Sequence, residues 1–308
     1  MQAEELWAEF CQKKNIDINT PYEAWAFCGG GKEGDELADL VLEGKKLGTA
    51  SAYDEYVLEE ALEEIPKVGD YSVILRDNEE AVCVIRTYDV YIRAFGDVPP
   101  FHGYAEGEGN RSLEYWRDVH KRAFAPGLLE CGVEFTDESK IICEKFSVEY
   151  IPNKTTDCDE LLFVEPSMTY AEEIMAYRQE MLEAESSFDG CFSLKRHESP
   201  QSFVDHCIEW SNPRRPVDEH GAWGNVIMVI RKSDNKMVGC FQIHNVLTER
   251  MEKYTGHVGY SVRPSERRKG YATRILAKAK DFLSSFGFEE IVVAFLPDNE
   301  GSRKTIFA

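Results

Sequence analysis

The chain lacks the spacings and runs that would assign it to several large classes of protein. Its nine cysteines, at positions 11, 28, 83, 131, 143, 158, 191, 207 and 240, are odd in number and show no CxxC or other metal-ligand spacing. That pattern argues against a disulfide framework or a zinc site, and for reduced, mostly buried thiols in a cytoplasmic protein. No apolar stretch reaches the roughly eighteen residues that a membrane span needs, and the N-terminus has no apolar core of signal-peptide type. The expectation is a soluble, cytoplasmic protein with no membrane partner. There is no internal repeat and no low-complexity segment. A nucleophile elbow, an HExxH helix and a Walker loop are also missing, which removes the usual sequence support for serine-hydrolase, zinc-protease and P-loop chemistry.

Positive charge is scarce: 35 Lys and Arg stand against 56 Asp and Glu, a net charge of −21. The imbalance is concentrated in the first half, with about −19 over residues 1–160 and about −2 over 161–308. An acidic chain of this kind repels a long phosphate backbone, so extended nucleic acid is a poor partner for it. With 308 residues, 43% of them hydrophobic, the chain is long enough for about two domains with real cores. The polar stretch from Ile151 to Glu160, which holds Pro152 and no periodicity, separates two apolar strand-like runs. It predicts a first domain over 1–152, a linker over 153–160 and a second domain over 161–308.

The most informative stretch is Gly259 to Ala272. Val258 to Val262 reads as a strand, Pro264 ends it, and Ile275, Leu276, Ala279, Phe282, Leu283 and Phe286 follow at helical spacing over 273–286. The turn between them sits at a helix N-terminus, where free N–H groups and the positive end of the dipole suit a pyrophosphate. Gly270 and Ala272 leave room for close approach. Arg263 to Lys280 holds seven basic residues against the single acid Glu266, a balance that suits a polyanionic cofactor.

The spacing Arg267-x-x-Gly270-x-Ala272 resembles the acyl-CoA signature of the GNAT N-acetyltransferase family. Upstream, Val226 to Arg231 and Met237 to Val246 read as a hairpin. Downstream, Ile291 to Leu296 reads as a strand, and Asp298 to Ser302 resembles the Asn-x-x-Ser start of the family's next helix. Leu161 to Glu165 as a strand and helices at Tyr170 to Ser186 and Ser202 to Trp210 complete the family's element order through its fifth strand. The resemblance implies acetyl-CoA as cofactor and a small amine as acceptor. It places Ser261, Val262, Arg267, Arg268, Lys269, Gly270, Tyr271, Ala272, Asn299 and Ser302 at the cofactor, with Arg303 and Lys304 as further phosphate contacts. The family continues with two more strands, so the domain is expected to lack its last strands and to leave Ile291 to Leu296 with an open edge through which a homo-oligomer could form. Ile306 stands where many members carry a tyrosine that acts as general acid.

The first domain resembles the ASCH domain, a small β-barrel related to the PUA RNA-binding fold. The resemblance rests on Ala24 to Phe27, Leu37 to Val41, Glu43 to Ser51, Pro66 to Leu75, Cys83 to Arg86 and Ala105 to Arg117, with His120 one helical turn beyond Trp116. It implies nucleotide or RNA contact. Some bacterial members remove the acetyl group from N4-acetylcytidine with a lysine, a threonine and a glutamate, and the matching positions are Lys46, Thr49 and Glu108. A buried lysine can lose its proton or stabilise an anion, and a neighbouring hydroxyl can then be activated. Lys45 and Lys46 could equally be solvated cations favoured by a helix C-terminus, Thr49 could simply start a strand, and Glu106 and Glu108 could be hydrated acids of a glycine-rich turn. Arg86 and Trp116 are the expected neighbours of the trio. Trp116 and His120 could wall a base or anchor their helix to the barrel.

His244, His257 and Glu252 are further candidates for a base toward an acceptor amine. Asp205, His206 and Cys207 are adjacent on a helix and face apart. The fold expected from all of this is α/β (α+β): an N-terminal PUA-like ASCH β-barrel with helices, then a GNAT mixed sheet flanked by helices. The expected function is acetyl transfer from acetyl-CoA to an amine, fused to a nucleoside- or RNA-binding module. The alternatives are an ASCH-type amidohydrolase, or a nucleoside- or RNA-binding protein whose second domain is inactive.

Overall fold

The computed structural model describes residues 1–153, 160–216, 223–295 and 299–307. The chain divides into two units, Met1–Thr156 and Asp157–Ala308. Residues 154–159 of the expected linker lie outside the described residues.

The first unit runs α1 (Ala3–Lys14), β1 (Glu23–Trp25), α2 (Gly31–Leu42), β2 (Gly48–Ala52), α3 (Tyr53–Leu58), β3 (Tyr71–Leu75), β4 (Ala81–Ala94), α4 (Pro100–Glu106), α5 (Leu113–Glu130) and β5 (Lys140–Tyr150). Its sheet has the order β1-β3-β4-β5-β2, with β1 parallel to β3 and the other neighbours antiparallel. The β4–β5 ladder shifts register between Val84 and Ile85 and again between Thr87 and Asp89. Each extra residue bends the strand and raises its twist, and the sheet curls into a half-barrel. Helix α2 buries Gly34, Ala38 and Val41, a single stripe at i, i+4 and i+7. That stripe packs on Ile74, Ile85 and Phe146 of the sheet. Leu6, Trp7 and Phe10 of α1 pack with Val73, Val84 and Tyr150, and Trp116 of α5 packs with Phe95, Val98 and Ile141.

The second unit runs β6 (Leu161–Val164), α6 (Ala171–Glu183), α7 (Pro200–Trp210), β7 (Gly224–Arg231), β8 (Lys236–His244), α8 (Glu249–Tyr254), β9 (Val258–Val262), α9 (Tyr271–Ser285) and α10 (Glu300–Ile306). The antiparallel sheet has the order β6-β7-β8-β9. Val226 to Ile230 and Met237 to Phe241, Gly239 included, are all buried, as central strands covered on both faces require. Helices α6 and α9 pack on β8, and α7 packs on β7. The apolar stripe of α9 is Tyr271, Ile275, Ala279, Phe282 and Leu283.

One expected element does not form. Within 291–295 the described ladder contacts reduce to a single bridge, Gly256 with Val293; Leu296 lies outside the described residues. The apolar run has strand propensity, but Val292 and Phe295 are exposed, and the Val292 amide donates to the His257 ring at Nδ1 (3.0 Å) instead of to a neighbouring strand. Propensity without burial or a continuous partner is not enough to hold a strand. Over the described residues 291–295, the strand expected to present that edge is therefore absent.

Candidate functional site

In the second unit, a cavity of about 1070 Å³ lies along β9 and the start of α9. Gly270, with φ +81°, is the N-cap of α9, and a side chain there would point into open space, with no atom within 4 Å of its Cβ. The first backbone bond of the helix runs from Arg274 N–H to the Gly270 carbonyl (3.3 Å). The amides of Tyr271, Ala272 and Thr273 precede it, so they have no acceptor within the helix and lie at the positive end of its dipole. All three residues line the cavity. A positive φ, an open approach and three donors with no acceptor in the helix give this turn a geometry suited to an anion.

The register of β9 decides which strand groups join that turn. His244 N–H donates to the His257 carbonyl (2.9 Å) and Arg263 N–H donates to the Val238 carbonyl (2.9 Å). Antiparallel alternation between those two pairs turns the main chain of Gly259 and Ser261 toward β8, and that of Tyr260 and Val262 outward. The Val262 carbonyl accepts from Arg267 Nε (3.2 Å). Ser261, expected at the cofactor, does line the cavity, but its main chain is turned toward β8. Its hydroxyl is engaged inward with Tyr177 Oη (3.0 Å) and Cys191 Sγ (2.9 Å).

The basic residues of 263–280 have divided roles. Glu266, buried, receives Arg231 (2.7 Å), Lys236 (2.9 Å) and Lys269 (2.8 Å), and these cations, Arg231 first, hold its carboxyl far below the usual range. Arg263 is bound by Glu180 (2.6 Å) and Glu173 (2.9 Å). The Lys269 side chain, expected at the cofactor, instead pins the turn to Glu266 and is not part of the cavity wall. Arg267, Arg268, Asn299, Ser302 and Lys304 do line the cavity, whereas Arg303 does not. Asn299 caps α10 by accepting from Ser302 N–H (3.0 Å). Among the lining residues that sequence reading missed are Phe188, Gly190, Phe192 and Gln242. Gly190 at φ +75° beside two phenylalanines was the available signal.

The histidines considered as bases are satisfied structurally. His244 Nε2 lies 2.9 Å from Gln242 Nε2, and burial pushes its pKa down to about 4, with His257 adding to the effect. Burial also lowers His257, and its Nδ1 accepts from Val292.

In the first unit, α2 closes with Gly44 N–H on the Val41 carbonyl and Lys45 N–H on the Leu40 carbonyl, each 2.9 Å, a Schellman pair that turns the chain into Lys46. Lys46 is 1% exposed and lies 3.1 Å from Glu106 and 2.6 Å from Glu108. Gly107 makes this approach feasible: at φ +76° a Cβ there would lie 2.4 Å from the Lys45 carbonyl oxygen. Glu106 also accepts from Trp116 Nε1 (2.6 Å) and meets His102 Nε2 (3.0 Å). Burial acts against both charges. The two carboxylates nonetheless keep the Lys46 pKa raised, and Lys46 with His120 and His102 keeps Glu106 well below the normal carboxylate range. The ammonium is held as an ammonium, the opposite of the deprotonated lysine that would activate a hydroxyl.

The structure thus brings Lys46 and Glu108 together and adds Glu106 as the hub, a buried acid that a glycine-rich turn gave no reason to expect. Thr49 lies on β2 and lines a separate cavity of about 620 Å³ whose wall includes neither Lys46, Glu106 nor Glu108. Arg86, expected beside the trio, is exposed and lies over the Tyr71 ring, 5.2 Å from its centroid. Trp116 does join the cluster, but it is 3% exposed and packed against Phe95 and His120. It anchors its helix and offers no platform to a base.

Comparison with known proteins agrees with this division. The ASCH domain family model matches residues 23–150, and the acetyltransferase (GNAT) family model matches residues 190–306. The first unit is similar to the crystal structure of an ASCH domain from Lactobacillus crispatus, at 26% identity over 48% of this chain and 94% of that one, with a TM-score of 0.44. It is also similar to a protein from Enterococcus faecalis, at 32% identity over 47% of this chain and 86% of that one, with a TM-score of 0.42. A search of curated proteins gave no match. By these matches the chain carries an ASCH domain over residues 23–150 and a domain of the acetyltransferase (GNAT) family over residues 190–306.

Proposed function

We propose that the second unit is an N-acetyltransferase that takes acetyl-CoA into the cavity along β9 and passes the acetyl group to a small amine. The observation that supports this most is the cradle at 270–273, where three amides with no acceptor in the helix, a positive helix end and an open Gly270 face one cavity with Arg267 and Arg268. Those groups fit a pyrophosphate. The outward main chain of Tyr260 and Val262 is suited to hold the pantetheine arm and to polarise the thioester carbonyl. In the reaction the amine nitrogen bonds to the acetyl carbon, the carbon–sulfur bond breaks, the amine loses a proton and the thiolate gains one.

Ile306 supplies no hydroxyl for that last proton. We assign that role to Tyr260, which lines the cavity and whose Oη lies 2.9 Å from Ser302 Oγ. Most of the catalytic effect in such a site comes from positioning. Isothermal titration with acetyl-CoA tests the reading: saturable binding is expected, with Ala272→Val weakening it while the melting temperature holds. Absence of binding, or an affinity that Ala272→Val and Arg267→Ala both leave unchanged, would overturn it.

A further inference from the structure

The curled sheet of the first unit encloses a cavity to which each of its strands contributes: Trp25 from β1, Thr49 from β2, Ser72 from β3, Thr87 from β4 and Glu144 from β5 line about 620 Å³. That is room for a metabolite-sized ligand. Its charge is one-sided. Glu23, Glu63, Glu64, Asp70 and Glu144 line it against the single cation Lys67, whose Nζ donates to the Glu63 carbonyl (3.0 Å).

Glu144 is the informative member. It is only 7% exposed, its Oε1 accepts from Thr87 Oγ1 (2.5 Å), and its Oε2 has no donor among the described residues. Thr87 fixes one oxygen of this carboxyl and so orients the group on the cavity wall, and the other oxygen keeps its acceptor capacity for a donor in the cavity. Asp70 and Glu23 lie close enough to add to the burial that already raises the Glu144 pKa. Trp25, Tyr56 and Tyr71 supply aromatic wall beside these acids. Cations are favoured over such ring faces, and phosphates are repelled by converging carboxylates.

We infer that this cavity binds a small organic cation, an alkylammonium or guanidinium compound, whose N–H groups donate to Glu144 Oε2 and whose body lies against the aromatic wall. The ligand class differs from the nucleotide expected of the first domain, and the site is separate from the acetyl-transfer cavity.

Agmatine, which carries both cationic groups, is the probe, titrated calorimetrically into the full chain beside cytidine and cytidine 5′-monophosphate. Saturable agmatine binding is expected, with Glu144→Gln weakening it by about tenfold or more. The amide keeps a carbonyl for Thr87, so the fold should survive; Asp70→Asn, at a loop position, gives a second reading and should weaken binding by a smaller factor. Three results would overturn the inference: no saturable agmatine binding at millimolar concentration, an affinity indifferent to both variants, or cytidine or its monophosphate binding as tightly as agmatine.

Discussion

Lys46 Nζ sits 2.6 Å from Glu108 Oε1 and 3.1 Å from Glu106 Oε2, across separations of 62 and 60 residues. The contact joins the chain just after α2 to the last residue of α4 and the turn beyond it, and Lys46 and Glu106, both almost wholly buried, keep each other charged. Removing one partner leaves a buried charge uncompensated, and such losses are large compared with those of surface pairs.

Lys46→Met should therefore destabilise the first unit by about 3–5 kcal/mol. The pH dependence has a definite sign. Glu106 is lowered in the fold, so its contribution is present above the unfolded carboxylate pKa and lost as pH falls; Lys46 is raised, so its contribution is present below the unfolded lysine pKa and lost as pH rises. Urea midpoints should be highest near neutrality and fall on both sides, and the acid limb should flatten in Lys46→Met. A midpoint insensitive to the substitution would remove Lys46 from this role.

Trp116→Phe keeps the packing on Phe95 and His120 but deletes the N–H that donates to Glu106 (2.6 Å). A buried acceptor that loses a donor costs about 1–3 kcal/mol. Chemical denaturation of the variant should show a loss of that order, and Lys46→Met together with Trp116→Phe should be non-additive because both act on Glu106.

His244 should titrate near pH 4, where burial places it, rather than near neutrality. Its folded pKa lies below the unfolded one, so its contribution to stability is present above the unfolded value and declines as pH falls through the folded value. Nuclear magnetic resonance of the ring protons gives the midpoint directly. A midpoint above 6, or an acid stability profile that His244→Asn leaves unaltered, would contradict the burial argument.

Gly270→Ala should cost about 1–2 kcal/mol because φ +81° is unfavourable for any side chain, even though the added methyl meets no atom within 4 Å. Gly270→Val should cost more. Ala272→Val, at a regular helical position, isolates the ligand contact from that strain. Melting temperatures measured with and without acetyl-CoA separate the two effects: Gly270→Ala lowers the unliganded value, while Ala272→Val reduces mainly the ligand-induced rise.

Much of the second unit was legible along the chain because its elements are marked by local signals. The β7–β8 hairpin, the strand at Val258–Val262 and the amphipathic stripe of α9 follow from periodicity and turn residues, and the cradle follows from a glycine at a helix start. The reading failed where the outcome depended on a partner. Ile291 to Phe295 has the composition of a strand but no burial and no continuous neighbour, and Lys269 has the charge of a phosphate ligand but a buried carboxylate within reach. In the first unit Lys46 and Glu108 were named from a family pattern, whereas Glu106, the acid that organises the cluster, gave no local signal.

By itself the sequence determined the two-part organisation, the acidic character of the first half and the strand–turn–helix around Gly270, since each is a property of neighbouring residues. Tertiary structure alone decided which way the β9 amides face, whether Lys46 keeps its proton, and that Thr49 and Glu144 look into an acidic cavity away from Lys46. Strand register, burial and the convergence of charges from separate elements set those outcomes, and none of them is encoded in the spacing of residues along the chain.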